Sequence, residues 1–130
     1  MARSPRLAPS RARLVALAAA LGLAWGAAAG LAHSFLERAE PRAGSTVKAA
    51  PAEVRLRFTE RLEAAFSTVR VIDDAGRRVD RGDARMDAGA PRELRVPLEP
   101  IGPGRYAVHW RVLSVDSHVV EGSFTFRVAP

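Results

Sequence analysis

Arg105-Tyr106-Ala107-Val108-His109-Trp110-Arg111-Val112-Leu113 alternates without a fault. Tyr106, Val108, Trp110 and Val112 fall on one side of an extended chain, and Ala107, His109 and Arg111 on the other. A period of two with apolar residues on one side is the signature of a strand buried on one face. Downstream, Gly122 to Val128 repeats the pattern, with Phe124, Phe126 and Val128 inward and Ser123, Thr125 and Arg127 outward. Upstream, Leu94, Val96 and Leu98 alternate, as do Val54, Leu56 and Phe58, while Phe66 to Ile72 is rich in β-branched residues. His33 to Arg38 opens as a further short strand.

Turn chemistry separates these runs. Pro41 and Gly44, Ala49 to Ala52, Asp73-Asp74-Ala75-Gly76 and Pro100 to Gly104 all break the chain. Thr59 to Glu63 reads as a loop or bulge. Arg77 to Ala90 reads as a long polar loop with one short edge strand at Arg78–Val79. No segment carries a helical stripe. About seven short strands with regular turns predict an all-β fold, a small Greek-key sandwich or barrel of immunoglobulin-like or cupredoxin-like type.

The N-terminus follows a different plan. Arg3, Arg6, Arg11 and Arg13 precede sixteen uncharged, mostly apolar residues, Leu14 to Ala29, and Gly30-Leu31-Ala32 closes with small residues. This three-part layout predicts a cleavable secretory signal over 1–32 and a mature domain over 33–130. The competing reading is an uncleaved anchor, for which the run falls short of about 20 residues. The full chain is +6, but 33–130 keeps 16 basic against 14 acidic residues. The high pI therefore belongs largely to the leader and is no footprint of a nucleic-acid partner. The sequence contains no cysteine, which excludes thiolate zinc sites, iron–sulfur clusters, blue-copper sites and cysteine nucleophiles.

Three histidines remain. His109 lies on the polar side of its strand and reads as a surface residue. Asp116 and His118 stand between two strand runs, and positions i and i+2 of an extended chain face the same way. Alone they are a two-ligand fragment, and an Asp in a turn often binds only its own backbone. Cleavage behind Ala32 would make His33 the first residue, offering its α-amine and Nδ1 from one side chain. The amine needs only modest proton loss near neutral pH. With an imidazole nitrogen of His118 and a carboxylate oxygen of Asp116, three nitrogens and one oxygen suit a single Cu(II).

The start at His33, Phe58-Thr59-Glu60, Gly104-Arg105-Tyr106, Trp110-Arg111-Val112, Ser114, Asp116, His118 and Gly122-Ser123-Phe124-Thr125-Phe126 together resemble the CopC family of periplasmic copper-resistance proteins. The likeness spans essentially all of 33–130. It implies a Greek-key β-barrel holding Cu(II) through the N-terminal histidine and the rim Asp-x-His, with Glu60 matching an acid that approaches the copper in some members. Some members carry a methionine-rich Cu(I) loop as well. Here Arg81 to Ala90 holds only Met86, so no Cu(I) site is expected.

The expected function is that of an exported, periplasmic binding protein, monomeric, with copper as its ligand and a membrane copper transporter or another copper carrier as its partner. No stable membrane insertion is expected once the signal is removed. The competing reading is an enzyme, a copper-brace oxidase of the polysaccharide monooxygenase type. Such an enzyme needs an aromatic substrate platform, whereas Phe58, Tyr106, Trp110, Phe124 and Phe126 fall at core positions. A metal-free adhesion module would leave His33 and Asp116-x-His118 unexplained.

Overall fold

The computed structural model describes residues 35–130. The expected leader and His33 lie outside the described residues. The elements are β1 (Leu36–Glu40), β2 (Thr46–Val47), β3 (Glu53–Phe58), a 3-10 turn (Ala64–Phe66), β4 (Thr68–Asp73), β5 (Glu93–Pro97), β6 (Gly104–Leu113) and β7 (Val119–Val128). They form two facing sheets, one ordered β1-β3-β5 and the other β2-β7-β6-β4. All neighbours are antiparallel except β2, which runs parallel to β7. The all-β two-sheet architecture is the one the alternating runs predict.

The alternation on each strand becomes the core. Val54, Leu56 and Phe58 of β3 and Leu94 and Val96 of β5 are fully buried. They meet Val69 and Val71 of β4, Val108, Trp110 and Val112 of β6, and Phe126 of β7 across the sandwich. Aromatic rings tie the layers. Phe58 meets Trp110 edge-on at 6.3 Å between centroids, and Tyr106 stacks on Phe126 at 5.4 Å. Such contacts add to what area burial alone provides.

Four features depart from the sequence-based expectation. Phe66 is not part of a strand; it ends the 3-10 turn and is 66% exposed. β7 begins at Val119 rather than Gly122, because ten consecutive residues pair with β6. β2 lies between two expected breaks, where the sequence predicts no strand; with two residues it is too short to show a period. The segment Arg77 to Ala90 does more than loop. Bridges Ile72↔Arg78, Asp80↔Leu98 and Arg85↔Arg95 carry it from the edge of one sheet to the edge of the other. Asp80 anchors it from a side chain with no exposed surface, accepting from the backbone N–H of Val71 and of Gly82 and from Arg78 Nε.

Candidate metal centre

β6 and β7 pair over ten residues, from Gly104↔Val128 to Leu113↔Val119. The five residues between them, Ser114 to His118, form the hairpin tip that holds the Asp-x-His pair. Ser117 N–H donates to the Ser114 carbonyl at 2.9 Å, closing a turn over residues 114–117. Ser117 itself adopts φ 72°, the left-handed conformation that lets a longer hairpin loop return to the ladder. Ser114 N–H donates to the His118 carbonyl at 2.9 Å and completes the closure.

Asp116 and His118 are therefore brought together by a turn, not by the pleat of an extended strand. The result is nonetheless a direct contact: His118 Nδ1 stands 3.1 Å from Asp116 Oδ2. Both side chains are open to solvent, His118 at 76% and Asp116 at 51%. With Nδ1 engaged by the carboxylate, Nε2 is the ring nitrogen left open, so the two side chains can hold one ion together only when it displaces this contact.

Ser114 supports the pair from below. It is 1% exposed, and its hydroxyl donates to Asp116 Oδ1 and accepts from the His118 backbone N–H at 3.3 Å. The Ser114 hydroxyl chiefly holds the Asp116 carboxyl below the usual carboxylate range; desolvation opposes it, and the His118 ring and backbone N–H add to the lowering. Asp116 therefore stays ionised through the neutral range. The sequence marked Ser114 only as part of a motif. A serine between Leu113 and Val115 at a strand end carries no periodic signal that it is buried.

The Arg61–Phe66 stretch lies against this tip. Leu62 bridges Ser114, Val115 N–H donates to the Arg61 carbonyl at 3.0 Å, and Glu63 N–H donates to the Leu113 carbonyl at 2.8 Å. Glu60 is thus on the same rim, exposed, two residues before the bridge. Among the described residues no three His, Cys, Asp or Glu side chains converge in a metal-holding group, so Glu60 does not join Asp116 and His118 in one. His109 sits on the outer face of β6 between Arg70 of β4 and Ser123 of β7, away from the hairpin tip. Among the described residues no helix is long and apolar enough to cross a membrane.

Comparison with known proteins gives a consistent picture. The family model described as CopC domain matches residues 36–129. Protein YobA of Escherichia coli K12 is 35% identical over 98 residues, covering 75% of this chain and 79% of its own. Copper resistance protein C of Pseudomonas syringae pv. tomato is 33% identical over 113 residues, covering 78% and 90%. The crystal structure of CopC from Methylosinus trichosporium OB3b superposes with a TM-score of 0.70 at 42% identity, covering 75% of this chain and 95% of that one.

Proposed function

Because the chain belongs to the CopC family, we propose that it is an exported Cu(II)-binding protein of copper resistance, which sequesters or carries copper in the cell envelope. The observation that carries this reading is the exposed Asp116–His118 pair, braced by a buried serine at the end of the longest strand ladder. A carboxylate oxygen and an imidazole nitrogen are donors that Cu(II) accepts readily. Their exposure lets an ion arrive and leave without opening the sandwich.

Two donors do not fill a tetragonal Cu(II) plane. The α-amine and Nδ1 of His33, freed by cleavage behind Ala32, would supply the other two, with Glu60 as an outer acid and one Cu(II) held per chain. Binding rather than catalysis is the role. The relatives named for a function are copper-resistance proteins and a copper transport protein, and an anionic Asp116 favours holding Cu(II) over cycling it. Met86 is packed against the core, which supports a protein without a Cu(I) thioether site. The periplasm is the compartment that fits the leader, and a membrane copper transporter or another copper carrier is the partner that fits the role. The protein acts as a monomer in this reading.

The test is N-terminal sequencing of the exported protein combined with a copper titration followed by EPR. A chain starting at His33 should take up one Cu(II) with nitrogen hyperfine structure. His118→Ala should abolish the tight site and His109→Ala should leave it intact. Equal affinity in a protein with one extra residue before His33 would overturn the amine chelate.

A further inference from the structure

The outer face of the four-stranded sheet is electrostatically lopsided. Side chains that alternate away from the core include Arg70 of β4, Arg105 and Arg111 of β6, and Arg127 of β7. One acid, Glu121, stands among them on β7, and it pairs with Arg111 at 3.0 Å. Residues 33–130 hold 16 basic and 14 acidic side chains, so the surplus of four arginines over one glutamate on this face exceeds the surplus of the whole domain. The outer face of the other sheet is neutralised in detail, with Arg38 on Glu40, Arg55 on Glu53 and Arg57 on Glu37, each within 3 Å.

Arg70, Arg105 and Arg127 are exposed and make no ion pair among the described residues. Arg105 and Arg127 also sit directly opposite each other in the β6–β7 register. Like charges facing across a ladder destabilise the sheet, so this arrangement works against the fold. The face is continuous with the candidate metal centre. Its rim row is Leu113↔Val119, the last pair before the hairpin tip, and Val119 is 50% exposed. The surface thus runs from an apolar margin beside His118 to a double arginine at the far end.

We infer that this face docks an acidic protein surface, and that the Ser114–His118 tip stands at the edge of the contact. Apolar margin and basic field divide the labour that such encounters need. Unpaired arginines steer an anionic partner and fix its orientation, and the rim residues exclude water next to the tip. A docked partner's own exposed donors would meet His118 without having to enter the sandwich.

The experiment is an amide-resolved NMR titration of the metal-free protein with an oligo-glutamate peptide, so its outcome is separate from copper binding. Vesicles of phosphatidylglycerol are titrated in parallel. Expected are shifts at outward positions of β4, β6 and β7, with affinity falling about tenfold in Arg70→Gln/Arg105→Gln/Arg127→Gln. The control Arg38→Gln/Arg55→Gln/Arg57→Gln should change it less than about twofold. In urea, Arg105→Gln should raise the midpoint, since it removes one of two facing like charges. Equal loss in both triple variants, or shifts on the three-stranded sheet, would overturn the inference. So would binding to the vesicles without binding to the peptide, which would assign the face to a membrane surface.

Discussion

The indole of Trp110 on β6 lies across the backbone of Gly122, its direct partner on β7. A Cβ at position 122 would stand 2.1 Å from Trp110 Cζ2, closer than any two such atoms can come. Trp110 also packs against Phe58 and Phe124, so the ring has little freedom to retreat. Gly122→Ala should therefore destabilise the domain by about 1–3 kcal/mol. Urea unfolding followed by tryptophan fluorescence measures the cost; an unchanged midpoint would show that the ring moves freely.

Ser114→Ala should act on both stability and metal. It removes the donor to Asp116 Oδ1 and leaves the His118 backbone N–H without its acceptor on Ser114. The expected cost is about 1–2 kcal/mol of stability and about tenfold in Cu(II) affinity, as for outer residues that orient a ligand. Competition titration with a chelator reads the second figure. Loss of stability with unchanged affinity would show that Asp116 orients itself without the serine.

Asp80→Ala should cost about 2–3 kcal/mol, because the buried backbone N–H of Val71 loses its acceptor and the part-buried N–H of Gly82 loses its own. Arg78→Gln should cost less, about 1 kcal/mol, since the unexposed Asp80 carboxylate loses its charge partner but keeps both backbone donors. A double-mutant comparison in urea checks the asymmetry. Equal costs would mean that the ion pair, not the backbone acceptor, anchors the 77–90 segment.

Acid should remove the stability that the Asp73 turn confers. The Asp73 carboxyl is held below its usual range, chiefly by the Arg77 backbone N–H and also by the Arg77 side chain and the Ala75 N–H. A depressed folded value means that the stability it confers is fully present above the unfolded value of about 3.9. That stability is lost as pH falls through the folded value. The urea midpoints of the wild type and Asp73→Asn should thus differ at pH 7 and converge well below pH 4. A gap that persists at low pH would assign the effect to shape and not to charge.

Much of this molecule is legible in its sequence, and the gaps have physical causes. The runs at 54–58, 94–98, 105–113 and 124–128 announce themselves because one face of each is buried and the other wet. Thr46–Val47 is silent, since two residues cannot display a period. Val119 to Gly122 is masked by Glu121 and by Gly122, whose lack of a side chain makes room for Trp110. Phe66 misleads, because an aromatic beside β-branched residues reads as core, yet the chain spends it on an exposed turn. At the candidate site, Asp116 and His118 stand out by chemistry alone. Their contact depends on a left-handed Ser117 and a buried Ser114, which only the folded chain reveals.

The ten paired rows between β6 and β7 hold the hairpin tip from below, and neither Asp116 nor His118 contributes to the core. An ion held at the tip therefore displaces no core contact. A recipient that has to tell a loaded molecule from an empty one must look to the tip and to the donors that reach it, and discrimination becomes a matter of what those few atoms already hold.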